Sequence, residues 1–232
     1  MKYVQHEGDH LKFITVEPNG FEPEHPYPLV VLLHGFGAHM GDLAGLASAI
    51  DSRGYVYAFP NAPISMNMGI GGENFAWAPL DGDGAREALG HADRLLEGFV
   101  EEVLAMYPTP AGKVILGGFS QGGMMVYRIG LPCPDRFAGI AALSSVVVGK
   151  RDIEDRLPED RNQAVFASHG TEDNMISVAD ARQGIEFLRS KGYNPEYNEY
   201  SMGHEVSPEV ISDLTVWVHK ILAPFAPAPN GE

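Results

Sequence analysis

Cysteine and basic side chains are scarce in this chain. Of its 232 residues, 16 are Lys or Arg and 31 are Asp or Glu, so the formal net charge is −15 at pH 7. A protein with this charge repels DNA, RNA and anionic lipid surfaces, which argues against a general nucleic-acid-binding role. The one cysteine, Cys133, excludes an internal disulfide and a metal cluster held by several cysteines, and it fits a reducing compartment.

Long apolar runs are also absent. No segment approaches the roughly 18 to 20 apolar residues that a membrane-spanning helix needs, and the N-terminal sequence MKYVQHEGDH lacks the apolar stretch of a secretory signal. We therefore expect a cytoplasmic protein without stable membrane insertion. Apolar residues still make up 44% of the chain, which is enough for a folded core and excludes global disorder.

Short apolar runs alternate with amphipathic segments along the chain. Five of these runs are too short for helices and too continuous for half-exposed strands, so they predict buried strands. Two weaker runs, 11–16 and 196–200, alternate polar and apolar residues and predict edge strands. The five buried strands are predicted at residues 29–33, 55–59, 114–116, 137–143 and 164–167.

Between the runs, apolar residues recur at three- and four-residue steps, a pattern that gives a helix one apolar face. This pattern predicts helices around 88–103, 178–188 and 210–221. The last of them is preceded by Ser207 as N-cap and begins with Pro208, two residues typical of a helix start. Strands that alternate with helices indicate an α/β protein with a mostly parallel sheet.

The chain shows no internal repeat and no interior linker, so one domain is predicted over residues 1–222. The C-terminal tail, 223–232, is rich in proline and therefore cannot continue a helix. The sequence leaves open whether the chain forms a homodimer.

The strongest chemical signal is the motif Gly-Phe-Ser-Gln-Gly at residues 118–122, with Ser120 at its centre. It follows a predicted strand and precedes a predicted helix, which is the setting of a nucleophile elbow. Glycines on both sides remove the β-carbons that would clash at such a sharp turn. A phosphate-binding loop would require a lysine beside the turn, and none follows. The sequence therefore predicts that Ser120 is a nucleophile.

A serine nucleophile needs a base, and the base needs a carboxylate that orients it. On folds with a nucleophile elbow the acid follows the serine in the chain and the histidine comes last. Asp173 comes shortly after the predicted strand 164–167, so it lies at the same edge of the sheet as Ser120. Its local rivals are Glu172 and Asp180, the latter in the predicted first turn of a helix.

Nine histidines compete for the role of base. His204 stands after the last predicted strand and just before the C-terminal helix, which is the expected last position of a triad. His169 is too close to Asp173 along the chain to be the base that this carboxylate orients, and we assign it a structural role. Ser120, Asp173 and His204 are the predicted catalytic residues.

Acyl transfer also needs hydrogen-bond donors for the developing oxyanion. The backbone N–H of Gln121, the residue after the nucleophile, is one expected donor. The second is expected from the loop after an early strand, here HGFG at residues 34–37, where glycines let the backbone turn its amides inward. Phe36 is the predicted second donor.

His34, in the same loop, is interpreted as a hydrogen-bonded core histidine rather than a catalytic one. A metal site formed by His34, His39 and Asp42 is a weak alternative, because this spacing matches no familiar set of ligands. We expect no metal and no cofactor.

Five segments together carry a family resemblance. They are LHGFG at 33–37, PNAP at 60–63, GGFSQGG at 117–123, HGTED at 169–173 and MGH at 202–204. In this order they resemble the phospholipase/carboxylesterase family of α/β-hydrolases, which includes acyl-protein thioesterases. The resemblance covers roughly residues 11–222. It implies an α/β-hydrolase fold with helices on both faces of the sheet, the same three catalytic residues and the same two backbone donors. The stretch between Leu143 and Ala164 is short and is charged at 150–156, so we expect no large cap domain.

The loop from Ile64 to Asp83 departs from the family pattern. Family members usually carry a Trp followed by an aromatic residue and an acid, whereas Trp77 is followed here by APLD at 78–81. In the family this loop commonly overhangs the acyl pocket. Phe75, Trp77 and Met68 are therefore the candidate substrate-binding residues, with packing of the loop as the alternative role of the two aromatic side chains.

The sequence and the resemblance together imply a cofactor-free serine carboxylesterase that hydrolyses short- to medium-chain esters through an acyl-enzyme. Its expected partner is a small-molecule ester. A thioesterase acting on acylated proteins or small thioesters, or a lysophospholipase, could use the same triad. A non-catalytic ligand-binding protein of this fold is the third alternative, and the complete set of catalytic residues argues against it.

Overall fold

The computed structural model describes residues 1–66, 72–82 and 84–225, which form ten strands and six helices. The strands are β1 (Lys2–Glu7), β2 (Lys12–Glu17), β3 (Leu29–Leu33), β4 (Val56–Pro60), β5 (Ile64–Met66), β6 (Asn74–Ala76), β7 (Val114–Phe119), β8 (Phe137–Leu143), β9 (Ala164–Gly170) and β10 (Glu196–Tyr200). The helices are α1 (Leu46–Ile50), α2 (Ala85–Met106), α3 (Gln121–Gly130), α4 (Lys150–Glu154), α5 (Val178–Ser190) and α6 (Pro208–Ile221).

Eight of the strands form one sheet in the order β1-β2-β4-β3-β7-β8-β9-β10. All neighbouring strands from β4 to β10 in this order are parallel. At one side of the sheet, β2 pairs antiparallel with both β4 and β1. The prediction of a mostly parallel α/β sheet is confirmed. Its consequence for the site is that the loops after β3, β7, β8, β9 and β10 all leave from the same edge.

Both faces of the sheet are buried, and strand β3 shows how. Leu29, Val31 and Leu33 pack into the core on one face, with α2, α3 and α5, while Val30 and Leu32 pack into the core on the other face, with α1 and α6. Because successive side chains point to opposite faces, a strand covered on both sides must be apolar at every position. This explains the continuous run in the sequence.

The order of the strands corrects one prediction. Strand β2 is not at the edge of the sheet, because β1 pairs along its outer side from Lys2–Glu17 to Glu7–Lys12. Strand β1 (KYVQHE) contains no apolar run and is fully buried at no position, so the sequence pattern gave no sign of it. The other weak run, β10, does lie at an edge as predicted.

Short elements were also missed. The helices α1 and α4 have five residues each, and β5 and β6 have three each, too few to show a period. Strand β7 extends to Phe119 and β9 to Gly170, beyond the predicted ends, so His169 lies in the sheet rather than in a loop. Between β8 and β9 the chain forms only α4, in agreement with the absence of a large cap.

Part of the predicted tail can be described. The ring of Phe225 packs against the rings of His25 and Tyr27, with centroids 5.0 and 4.7 Å apart, and its N–H donates to the carbonyl of Gly54 (2.9 Å). The remainder of the tail, 226–232, lies outside the described residues. No helix in the described part of the chain combines the length and the apolar character required to cross a membrane.

Candidate active site

Ser120, Asp173 and His204 come together at the carboxyl edge of the sheet, each in the turn or loop that follows a different strand. Ser120 Oγ–H donates to His204 Nε2 (2.8 Å), and His204 Nδ1–H donates to Asp173 Oδ2 (2.7 Å). Because the carboxylate fixes the proton on Nδ1, the lone pair of Nε2 faces the serine hydroxyl. The three side chains thus form one continuous chain of hydrogen bonds.

Ser120 has a strained backbone, with φ of 54° and ψ of −118°. This conformation is rare for an L residue, and it lifts the serine out of the end of β7 just before α3 begins. The glycines of the motif make the turn possible. A β-carbon at Gly122 would lie 2.2 Å from the carbonyl oxygen of Leu33, and one at Gly118 would lie 2.5 Å from the carbonyl carbon of Gly122.

The carboxylate of Asp173 is enclosed by donors. Its Oδ1 accepts the backbone N–H groups of Met175 (2.8 Å) and Ile176 (2.9 Å), and its Oδ2 accepts from His204. Burial acts to raise the pKa of Asp173, but the hydrogen bonds from Ile176, His204 and Met175 outweigh it and hold that pKa below its ordinary value. Asp173 is therefore ionised at neutral pH.

The two rival carboxylates are placed elsewhere. Glu172 is exposed, and its backbone N–H donates to the carbonyl of Met202 (3.1 Å). Asp180 lies in the first turn of α5, where its N–H donates to Ser177 Oγ (3.1 Å) and its Oδ2 accepts from the same hydroxyl (2.7 Å). Asp180 thus lies in the first turn of a helix, as the sequence predicted, and the structure shows that it is also part of the helix cap.

The imidazole of His204 is held in place by packing as well as by hydrogen bonds. Its side chain is 18% exposed, and the centroid of its ring lies 4.9 Å from that of Phe119.

A cavity of about 310 Å³ lies beside His204. The residues that line this cavity are His34, Gly35, Ala38, Asp42, Leu43, Phe119, His204, Glu205 and Val206.

The two predicted oxyanion donors lie at the ends of adjacent strands. Gln121 is the first residue of α3, so its N–H has no acceptor within the helix. The N–H of Phe36 donates to no acceptor in the described part of the chain. Its loop is fixed by two backbone hydrogen bonds of 2.9 Å, Gly37 N–H to Phe75 O and Phe75 N–H to Ala38 O.

His34 has the structural role that the sequence predicted. It is buried, its Nδ1–H donates to Gly35 O (2.7 Å), and its Nε2 accepts the N–H of Ala62 (3.0 Å). Burial lowers its pKa from 6.5 to about 4, so the ring is neutral at pH 7. His39 Nε2 lies 3.3 Å from Asp42 Oδ1, and no three metal-ligating side chains gather anywhere among the described residues.

His169 supports the loop that carries the acid. Its side chain is fully buried, and its Nε2–H donates to the carbonyl of Ile176 (2.9 Å) while lying 3.4 Å from Asp173 Oδ2. The bond to Ile176 holds the turn whose N–H groups bind the carboxylate. This is the structural role assigned to His169 from the sequence.

The side chain of Gln121 has a role that the sequence analysis missed. It is 5% exposed, its Oε1 accepts the N–H of Trp77 (2.8 Å), and its Nε2–H donates to the carbonyl of Ala78 (2.8 Å). Trp77 Nε1–H in turn donates to the carbonyl of His34 (2.9 Å). The residue after the nucleophile therefore holds the loop beside the site. A glutamine is usually exposed, and no pattern in the sequence marks this one as buried.

The three candidate substrate-binding residues differ in their placement. Trp77 has no exposed surface, and it packs in the core beneath its own loop, so the structure favours the packing role for it. Phe75 is 9% exposed, and neither aromatic side chain is among the residues that line the cavity beside His204. Met68 lies outside the described residues. Contact with substrate stays a prediction for Phe75.

Comparisons with known proteins show which family and which fold the chain resembles. A family model described as phospholipase/carboxylesterase matches residues 20–222. The chain is 29% identical over 240 residues to acyl-protein thioesterase 1 of Mycosarcoma maydis, a match that covers 91% of this chain and 98% of that relative.

Two solved structures resemble the fold. The crystal structure of esterase PE8 has a TM-score of 0.76 and 26% identity, and covers 90% of this chain and 97% of that one. The carboxylesterase of Bacillus cereus has a TM-score of 0.74 at 19% identity and covers 92% and 96% of the two chains. At 19% identity the likeness shows the fold alone. These similarities confirm the predicted α/β-hydrolase fold.

Proposed function

The chain belongs to the phospholipase/carboxylesterase family of hydrolases, and from this premise we propose that it is a serine carboxylesterase acting on short- to medium-chain carboxylic esters. The observation that carries the proposal is the hydrogen-bonded chain from Asp173 through His204 to Ser120. A binding protein has no need of a strained serine aligned with an oriented base. The non-catalytic alternative is therefore not supported.

In the acylation step, Ser120 Oγ attacks the carbonyl carbon of the ester while its proton passes to His204 Nε2. The carboxylate of Asp173 stabilises the imidazolium that forms. The carbonyl oxygen becomes an oxyanion that accepts hydrogen bonds from the N–H groups of Phe36 and Gln121. The ester C–O bond then breaks, His204 returns the proton to the leaving alkoxide, and the acyl group stays on Ser120.

Water completes the reaction by the same route. His204, neutral again, takes a proton from a water molecule, whose oxygen attacks the acyl carbon. Collapse of the second tetrahedral intermediate breaks the bond to Ser120 Oγ, which recovers its proton from His204, and the carboxylic acid leaves. Each step uses His204 once as base and once as acid, and the balance of atoms requires only ester and water.

The preference for short and medium acyl chains rests on the space available. The cavity beside His204 is about 310 Å³, at the lower end of the range for small-molecule sites. Each buried methylene stabilises binding by about 0.8 kcal/mol, but methylenes that extend beyond the cavity stay in water and add nothing. The rate is therefore expected to reach a maximum within the series of acids and not to rise at an oil–water interface.

A thioesterase activity is the second candidate, and the name of the Mycosarcoma maydis relative favours it. The same three side chains can cleave a thioester, since the steps differ only in the leaving atom. Lysophospholipid hydrolysis would use the same steps on a longer acyl chain, which the cavity does not favour.

The test is hydrolysis of p-nitrophenyl esters from acetate to palmitate beside thioesters of the same acids, with wild-type protein and Ser120→Ala. We expect kcat/KM to be highest for short or medium acids and to fall about 10⁴-fold or more in the variant. A series that keeps rising through palmitate would contradict the chain-length proposal. Thioesters cleaved far faster than the matched esters would favour the second candidate, and a variant with a tenth of wild-type activity would place the nucleophile elsewhere.

A further inference from the structure

The turn that begins at the last residue of strand β8, residues 143–145, holds the backbone of the nucleophile on both sides. The N–H of Ser120 donates to the carbonyl of Leu143 (2.9 Å), and Ser145 Oγ–H donates to the carbonyl of Ser120 (2.7 Å). The turn and the start of α3 are in close contact, because a β-carbon at Gly123, in the first turn of α3, would lie 2.6 Å from Ser145 Cβ. The strained peptide units at Ser120 are thus fixed by a neighbouring strand.

The same turn also reaches the loop of the catalytic histidine. Ser144 is fully buried, and its Oγ–H donates to the carbonyl of Glu205 (2.9 Å), the residue after His204. Its backbone N–H donates to the carbonyl of Ser168 in β9 (2.8 Å). One turn therefore connects the nucleophile, the histidine loop and the strand that leads to the acid.

Ser144 adopts a conformation that its residue type disfavours. With φ of 46°, it is the second of two non-glycine residues with positive φ among those described, the other being Ser120. Glycine adopts this backbone conformation without strain, so the backbone alone would favour glycine here. A serine at this position supplies what glycine lacks, which is the hydroxyl bound to the histidine loop.

We propose that Ser144 and Ser145 are positioning residues that set the geometry between Ser120 Oγ and His204 Nε2. Ser145 acts on the nucleophile and Ser144 on the loop of the base. The inference rests on the proposed function, since it assigns these residues to the reaction of that triad. Both side chains are buried, with 0% and 6% exposure, so they act through Ser120 and His204 and not by contact with substrate.

This role predicts an effect on turnover rather than on substrate binding. A displacement of about 1 Å between reacting groups can lower the rate by a factor of about 10². For removal of either hydroxyl we expect kcat to fall roughly 10- to 100-fold, while KM for a short p-nitrophenyl ester changes little.

Two substitutions of Ser144 separate positioning from stability. Ser144→Ala removes the hydroxyl and keeps the strain, whereas Ser144→Gly removes the hydroxyl and relieves the strain. We expect Ser144→Gly to melt at a higher temperature than Ser144→Ala, and both variants to lose kcat to a similar extent. Activity would then follow the hydroxyl while stability follows the backbone. Should Ser144→Ala fail to fold, Ser144→Gly still decides the question.

Ser145→Ala tests the other contact, and Ser190→Ala is the matched control. Ser190 Oγ–H donates to the carbonyl of Phe187 (2.7 Å) at the end of the 13-residue helix α5, the same type of bond in a region without catalytic groups. We expect Ser145→Ala to lose kcat and Ser190→Ala to keep it. Wild-type kcat in both Ser144→Gly and Ser145→Ala would overturn the inference. It would also be overturned if Ser144→Gly were more stable than Ser144→Ala and had wild-type kcat, because activity would then follow stability and not the hydroxyl.

The fluorophosphonate adduct of each variant separates this inference from the function on which it rests. Mass spectrometry should find the adduct on Ser120 in wild type and in all four variants, with slower labelling in those that lack a positioning hydroxyl. An adduct on another residue of the wild type would contradict the proposed function. An adduct on Ser120 that forms at the wild-type rate in every variant would contradict the positioning role alone.

Discussion

The carboxyl end of the central sheet holds buried polar side chains and two strained serines, whereas the amino end holds the larger cavity. At the carboxyl end, Ser120 and Ser144 have positive φ, and a cavity of about 310 Å³ lies beside His204. At the amino end of β7 and β8, a cavity of about 600 Å³ is lined by Cys133 and several prolines. The smaller cavity is the one beside His204, so cavity volume is a poor guide to the candidate active site in this molecule.

The difference between the two ends has a physical cause. Backbone strain and buried polar atoms both cost free energy, so they persist only where neighbouring groups stabilise them. At the carboxyl end each of the triad side chains has a hydrogen-bond partner. At the amino end, burial raises the pKa of the Cys133 thiol, which keeps it protonated and poorly nucleophilic at neutral pH. Four predictions test this contrast.

The largest effect is expected from Asp173→Asn. The amide would present an N–H donor to His204 Nδ1 where the carboxylate now accepts, which favours the wrong tautomer of the imidazole. We expect kcat for a p-nitrophenyl ester to fall about 10⁴-fold with the fold intact. Glu172→Gln is the matched control, because Glu172 is adjacent and exposed, and it should keep wild-type activity. The reverse pattern would show that the acid has been assigned to the wrong residue.

Gln121→Leu should lower the stability of the fold. It leaves the N–H of Trp77 and the carbonyl of Ala78 without their partners, at about 1–3 kcal/mol for each buried group. We expect the free energy of unfolding, measured in urea, to fall by about 3–4 kcal/mol. Gln183→Leu, on the exposed side of α5, should have little effect. Equal stability of the two variants would mean that the loop does not depend on Gln121.

The buried imidazole of His34 should make stability depend on pH. The unfolded chain binds a proton at this residue near pH 6.5, but the folded chain binds it only near a pKa of about 4, so acid favours unfolding within that interval. Between pH 7 and pH 4 the wild type should lose about 3 kcal/mol more than His34→Gln, whose side chain does not titrate. Parallel curves of unfolding free energy against pH would contradict this account of His34.

The smallest effect is expected at the amino end. Cys133→Ser should keep kcat/KM within about 2-fold of wild type, since surface and cavity positions far from the catalytic groups contribute little to the transition state. Treatment with iodoacetamide should leave the wild-type rate unchanged. If the reagent inhibits wild type and not Cys133→Ser, the amino-end cavity has a role in activity. That result would contradict the contrast between the two ends.

The placement of Ser120, Asp173 and His204 at one edge of the sheet could be predicted because its signals are local or topological. The glycines around Ser120 mark a sharp turn, and the order of serine, acid and histidine follows from parallel strands whose carboxyl ends meet at one edge. The fold class followed from apolar runs that alternate with helices. The strand β1 was missed because four of its six residues are exposed and it contains no apolar run.

The residues that hold the triad in place could not be predicted in the same way. The burial of the Gln121 side chain depends on where the Trp77 loop crosses it, and the contact of Ser144 with Glu205 joins residues that are 61 positions apart. Neither contact leaves a period or a motif in the sequence. Trp77 was a candidate for substrate contact because its loop overhangs the acyl pocket in the family that the sequence resembles, and only the packing of that loop shows Trp77 to be fully buried.

The proposed reaction depends most directly on Ser120 as the nucleophile, and the site of covalent labelling tests this role. Native protein incubated with a fluorophosphonate probe is digested, and the modified peptide is sequenced by mass spectrometry. We expect a single adduct on Ser120, formed in step with the loss of esterase activity and absent from His204→Ala, which lacks the base. An adduct on another residue, or full loss of activity with Ser120 unmodified, would contradict it.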